Sequence, residues 1–236
     1  MNLKEYLTEG LNKCNIQITN EQTEKLLLFM DIVLRENKKF NLTAITDEKE
    51  FIEKHIIDSA LSIKYIKNEG KLIDIGSGAG MPGIVIKILR EDLDILLLDS
   101  LNKRVNYLNN TIKELKLNNI EAIHQRAEEL SHDEEYREQF DYVTARAVAS
   151  LNVLLEYTIP FIKKEGSFIA LKGSKGEEEI EQSKNALNLL SCKIIKNHKE
   201  KLPYSLSNRN IIEIKKMELT NKKYPRKQAK IKKIPL

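Results

Sequence analysis

The sequence predicts an α/β protein: a mostly parallel sheet covered by helices on both faces, with a helical cap ahead of it and an antiparallel hairpin at its end. Three observations carry this. From Lys71 onward, short apolar runs alternate with amphipathic runs at helical spacing, the sign of a parallel sheet wrapped on both sides. Leu72-Ile73-Asp74-Ile75-Gly76-Ser77-Gly78-Ala79-Gly80-Met81-Pro82-Gly83 reads as strand, glycine turn and helix start in one run. Residues 1–66, by contrast, carry helical periodicity with no strand signal.

In order along the chain, Leu3, Leu7 and Leu11 recur at helical spacing. Thr19-x-x-Gln22 is a capping box ahead of the apolar series Leu26, Leu27, Phe29, Met30, Val33 and Leu34. A break is expected near Asn37, a new helix capped by Asp47, and further helix over 56–66. Asn41, Thr43, His55 and Asp58 are polar positions among apolar neighbours. Leu72 to Ile75 is the first strand, and Pro82 to about Arg90 its helix. Asp94 to Leu98 is the second strand, ending at Asp99, and Lys103 to Leu117 is amphipathic helix. Ile120 to His124 is the third strand, and Phe140 to Ala145 the fourth, reaching Arg146. Helix over 151–162 and strand over 166–171 lead into the small basic loop Lys172-Gly173-Ser174-Lys175-Gly176. A charged helix over 177–190 precedes two alternating segments, 192–201 and 209–217, joined through Pro203 and Asn208 as a hairpin. The expected organisation is a helical cap over 1–66, a Rossmann-like domain over 67–220 and a basic tail over 221–236.

At 236 residues and 41% hydrophobic content the chain can bury a sizeable core. It has no run long enough to span a bilayer and no secretory signal at its start, so a cytoplasmic protein without membrane attachment is expected. Cys14 and Cys192 lie far apart and the four histidines show no ligand spacing, so neither a disulfide nor a metal is expected. The net charge of +4 is local. Lys222, Lys223, Arg226, Lys227, Lys230, Lys232 and Lys233 supply seven positive charges in the last fifteen residues, leaving −3 elsewhere. A basic arm on a slightly acidic body suits phosphate contact.

The glycine turn admits two cofactor readings. Gly78-x-Gly80-x-x-Gly83 fits a dinucleotide fingerprint. Asp74-x-Gly76-x-Gly78-x-Gly80 fits the first motif of S-adenosylmethionine-dependent methyltransferases. Asp74 favours the second, because an acid at this strand end repels a pyrophosphate but suits a cofactor ending in an ammonium group. Asp99, at the end of the second strand, is placed to accept from both ribose hydroxyls. Ala127-Glu128, after the third strand, is placed to read an adenine edge. Arg146 is a poor core residue and must meet a carboxylate, a ligand or a phosphate. On this reading both carboxylates, Asp74 and Asp99, face one crevice at the carboxyl ends of the first three strands.

Taken together, Asn41-Leu42-Thr43-Ala44-Ile45, His55-x-x-Asp58-Ser59, the run from Asp74 to Gly83, Asp99-Ser100-x-x-Lys103-Arg104, Arg146-Ala147, Leu171-Lys172-Gly173 and Tyr224-Pro225-Arg226-Lys227 give the chain an extended likeness. It resembles the glucose-inhibited division protein B family, 16S ribosomal RNA methyltransferases that modify a guanine at N7. Met81 stands where that family more often has an aromatic residue or leucine.

The resemblance implies a seven-stranded Rossmann-like methyltransferase fold, S-adenosyl-L-methionine as donor, and 16S ribosomal RNA or the small-subunit particle as partner. It places cofactor contacts at Gly76, Met81, Asp99, Ser100, Leu101, Ala127, Glu128 and Arg146, beside Asp74, Gly78 and Gly80 from the motif. Arg146 is further expected to position a reacting group, at the donor carboxylate or at guanine O6. Lys172, Lys175, Lys222, Lys223, Arg226, Lys227 and Lys230 are expected to meet RNA phosphates. No metal is implied, and a monomer is expected. A catalytically silent RNA-binding assembly factor, a nicotinamide-dependent oxidoreductase and a small-molecule methyltransferase stay open as alternatives.

Overall fold

In the computed structural model, which describes residues 1–236, one seven-stranded sheet organises the molecule. Its strands are β1 (Gly70–Ile75), β2 (Leu93–Asp99), β3 (Ile120–His124), β4 (Phe140–Arg146), β5 (Ile162–Lys172), β6 (Cys192–Lys201) and β7 (Asn208–Lys216). The order is β3-β2-β1-β4-β5-β7-β6. All neighbours through β5 pair in parallel, and β7 runs antiparallel to both β5 and β6. The order reverses between β1 and β4, so a crevice opens there at the carboxyl ends of the strands.

The strands are apolar because both faces are covered. Leu72, Leu97 and Ile169 point into one core with the N-terminal helices, while Ile73, Val143 and Phe168 point into the other. The first core takes in Leu26, Phe29, Met30 and Val33 from helix Asn20–Phe40, whose Thr19–Gln22 capping box is formed on both sides. That helix runs past the expected break near Asn37 and ends where Asn41 takes a left-handed conformation, φ 49°. Asp47 caps Glu48–Phe51 as expected, and helical backbone then continues to Tyr65 through a π-helical stretch, Ile52–Ile57. This is the cap on the sheet, and Glu53 ties it to the hairpin turn by accepting from Tyr204 N and Ser205 N.

The charged helix expected over 177–190 is two, Gly176–Gln182 and Lys184–Leu189, separated at Ser183. The tail also differs from a free arm. It packs along the body and carries a short helix, Gln228–Lys233, with Ile231 fully buried. No helix is long and apolar enough to cross a membrane.

Candidate active site

Two adjoining cavities occupy the carboxyl end of the sheet. The smaller, about 450 Å³, is lined by Gly76, Ser100, Ala127, Glu128, Val153 and Tyr157, among others. The larger, about 1130 Å³, is lined by His55, Asp58, Arg146, Lys172, Lys175 and Arg209, among others. Val148, Ala149 and Ser150 line both, so one short loop after β4 forms their common wall. A further depression of about 460 Å³ opens beside Lys71, Asp94 and Phe140, and none of the expected site residues lines it.

The glycine loop builds the floor of the smaller cavity. Gly76 N and Ser77 N donate to Leu98 O at 2.8 and 3.1 Å, which sets the loop against β2. Gly76 has φ +72°, and an added Cβ would lie 2.7 Å from Val148 Cγ2. Only glycine lets the dividing loop approach so closely.

Asp99 sits at the end of β2 with both carboxylate oxygens engaged. Oδ2 accepts from Gly78 N and Oδ1 from Leu101 N, each at 2.9 Å, and Arg104 Nη1 lies at 3.6 Å. One carboxylate thus joins the glycine loop to the turn after β2, beside Leu98 and Ser100 of the cavity wall.

Asp74 is placed differently from the expectation. It is fully buried and does not line the crevice. Oδ2 accepts from Gly83 N at 3.1 Å and Oδ1 from Thr144 Oγ1 at 2.8 Å. Gly83 makes room for it, since an added Cβ would lie 3.0 Å from that Oδ2 and 2.3 Å from Leu97 Cδ2. Asp74 therefore holds the end of the glycine loop to β4 from beneath. The two carboxylates do not share one crevice: neither lines the smaller cavity, and Asp99 is buried between two residues that do, Leu98 and Ser100. Gly80 and Met81 are likewise buried outside its lining, and Leu101 is an exposed neighbour of it.

Arg146 faces the larger cavity. Nη1 donates to Asp58 Oδ2 at 3.0 Å and to Lys54 O at 3.1 Å, and Nη2 lies 3.3 Å from His55 Nδ1. Asp58 Oδ1 accepts from Arg209 Nε at 2.7 Å, so one buried carboxylate joins two guanidinium groups. With Nδ1 toward a donor, the imidazole proton belongs on Nε2, which donates to Thr43 Oγ1 at 2.7 Å. Burial first, and the Arg146 charge second, lower the His55 pKa to about 4. Thr43, His55 and Asp58 thus converge on Arg146, whereas Asn41 is an exposed helix cap. Arg209 was missed by sequence reading, because nothing in its local pattern marks its partner 151 residues away.

Two of the expected phosphate contacts are already paired within the chain. Lys172 is buried, with Nζ 2.7 Å from Glu179 Oε2 and donating to Ala149 O at 2.6 Å. Arg226 clasps the fully buried Glu156, Nε to Oε1 at 2.8 Å and Nη2 to Oε2 at 2.7 Å. Both hold structure instead of offering a free charge. Lys175, Lys222, Lys223, Lys227 and Lys230 are exposed.

Burial makes His55 and Asp74 respond in opposite directions to pH. Folded His55 takes a proton only near pH 4, whereas an unfolded histidine does so near 6.5, so its contribution to stability falls as pH drops across that window. Burial raises the Asp74 pKa from 3.8 to about 6, against the lowering effect of its hydrogen bonds, so its contribution falls as pH rises from 3.8 to 6. The stability gap between wild type and His55→Gln should therefore narrow by about 2–3 kcal/mol from pH 6.5 to 4. Urea unfolding at stepped pH reads this directly; a gap that widens on acidification would refute the assignment of a neutral imidazole.

A doubly covered sheet with this order, a glycine turn after β1, an acid closing β2 and a cavity at the strand-order reversal define a methyltransferase of the S-adenosylmethionine-dependent class. The fold is shared with other solved structures. They include TYW2 of M. jannaschii in complex with AdoMet (TM-score 0.53, 20% identity, 74% of this chain and 80% of that one). Another is ribosomal protein L11 methylase of Lactobacillus delbrueckii subsp. bulgaricus (TM-score 0.52, 16% identity, 70% and 79%).

The family model GidB, rRNA small subunit methyltransferase G, matches residues 22–211, and the chain belongs to that family. Its relatives include the ribosomal RNA small subunit methyltransferase G of Alkaliphilus oremlandii, 43% identical over the full length of both chains. That of Acetivibrio thermocellus is 47% identical over all of this chain and 98% of its own.

Proposed function

We propose that this chain transfers a methyl group from S-adenosylmethionine to N7 of a guanine in 16S ribosomal RNA. The observation that carries the reading is the shared wall at Val148–Ser150: a donor-sized cavity and a wider cleft meet at the carboxyl ends of β1 and β4. The residues of the smaller cavity suit an adenosyl donor. Asp99 fixes the glycine loop against the turn that carries Ser100 into the cavity wall, Gly76 keeps the floor free of side chain, and Glu128 Oε1 and Tyr157 Oη are buried without a hydrogen-bond partner. When bound, S-adenosylmethionine supplies an electrophilic methyl group on a sulfonium.

The chain's own task is then positioning. Guanine N7 carries an in-plane lone pair and no proton, so no base is needed; alignment and exclusion of water contribute most of the rate. His55 fits this account: it is neutral, and both its ring nitrogens are engaged within the protein. Arg146 borders the wide cleft and not the donor cavity, which favours a role beside the base. The cleft's volume suits a base turned out of its stack. Exposed Lys175, Lys222, Lys223, Lys227 and Lys230 supply the phosphate contacts.

The test is transfer of labelled methyl groups from S-adenosylmethionine to 16S RNA and to small subunits purified from cells lacking the protein. Mass mapping should find the label at N7 of one guanine. RNA binding with no transfer would establish a silent assembly factor instead, and transfer only to small metabolites would exclude the RNA reading.

A further inference from the structure

The last fifteen residues follow a fixed path to the donor cavity. Glu138 Oε1 takes both Lys216 Nζ at 2.6 Å and Thr220 N at 2.7 Å. Arg137 donates to Thr220 O at 2.9 Å and to Tyr224 O at 3.0 Å, and His132 Nε2 lies 3.0 Å from Pro225 O. Arg226 then clasps Glu156. Immediately afterwards comes the helix Gln228–Lys233, whose Ile231 packs against Val153 and Tyr157. Its outcome is specific: Gln228, Lys232 and Pro235 line the same cavity as Gly76, Ser100, Ala127 and Glu128.

Two polar atoms on side chains that line that cavity make no hydrogen bond, although Arg126 Nη1 lies 3.9 Å from one of them, Glu128 Oε1. They are Tyr157 Oη and Glu128 Oε1, on side chains more than nine-tenths enclosed. A buried polar atom without a hydrogen bond is costly, and native proteins keep such atoms where something else completes them. A phenol donates and a carboxylate accepts. An aminopurine edge offers the matching pair, a ring nitrogen that accepts beside an exocyclic amine that donates. Burial and the neighbouring Glu128 charge raise the Tyr157 pKa, so the phenol keeps its proton.

We propose that Tyr157 and the C-terminal helix Gln228–Lys233 form the outer wall of the donor pocket and hold the adenine of the methyl donor. This rests on the donor reading above. It gives the basic tail a second task, since the same segment that offers lysines to RNA encloses the donor.

Calorimetric titration with S-adenosylhomocysteine, and separately with adenosine, tests it on the full chain. Tyr157→Phe should bind both ligands about five- to tenfold more weakly, the value of one hydrogen bond, without loss of melting temperature. Ile231→Asp, which lifts the helix, should weaken both by tenfold or more. Adenosine is the discriminating probe, because it lacks the amino-acid end and reports the adenine wall alone. Tight binding by wild type with unchanged affinity in both variants would overturn this proposal while leaving the donor reading intact. Failure of wild type to bind S-adenosylhomocysteine would overturn the donor reading itself.

Discussion

Asp99→Ala is expected to weaken S-adenosylmethionine binding by on the order of 10²–10³-fold, the worth of two hydrogen bonds to a charged group. The carboxylate closes β2 and holds Gly78 N and Leu101 N, both at 2.9 Å. It thereby fixes the spacing between the glycine loop and the turn that carries Ser100. It is also the acid between the lining residues Leu98 and Ser100 and, on the proposed function, the acceptor for the ribose hydroxyls. Alanine removes both roles at once. Asp99→Asn separates them: the amide keeps one acceptor but sets an N–H against one of the two backbone donors. A smaller loss than in alanine, with a similar melting temperature, is the outcome that matches these roles. Calorimetric affinity within threefold of wild type in a folded Asp99→Ala would remove Asp99 from the donor site.

The position of a residue along its strand was readable from the sequence; what covers it was not. Strand, glycine turn and helix were legible because glycine spacing and apolar runs are local signals. So were the Thr19–Gln22 cap and the terminal hairpin. Asp74 and Asp99 look alike in sequence, each closing a short apolar strand. Their fates differ because Gly83 leaves a gap over Asp74 that Thr144 completes from β4, a contact 70 residues away. The same limit applies to charge. Lys172 and Arg226 count as positive in any tally, yet Glu179 and Glu156 neutralise them across the fold. Gly76, Ser100, Ala127 and Glu128, legible as strand-end residues, line one cavity, whereas the shares of Val148, Tyr157 and the tail in its wall depend on packing alone.

Arg226→Ala should cost about 3–5 kcal/mol of stability, because it strands a carboxylate that has no exposure to water. Glu156 Oε1 accepts from Arg226 N at 2.7 Å and Nε at 2.8 Å, and Oε2 from Nη2 at 2.7 Å. Only the backbone bond survives the substitution. At roughly 2–4 °C per kcal/mol for a chain of this size, the melting temperature should fall by about 10 °C. The lost pair is not itself the source of that stability, since desolvation offsets much of its attraction. Arg226→Met with Glu156→Leu should therefore recover most of the loss by removing both charges together. The two variants also separate stability from function. Arg226 Nη2 donates to Ile234 O at 2.9 Å, which holds the end of the C-terminal segment beside the donor cavity. The double replacement restores the core but not that bond, so it should melt near wild type and still bind the donor more weakly. Equal melting temperatures for the single and double variants would show that Glu156 escapes to solvent when unpaired, and that the tail is fastened elsewhere.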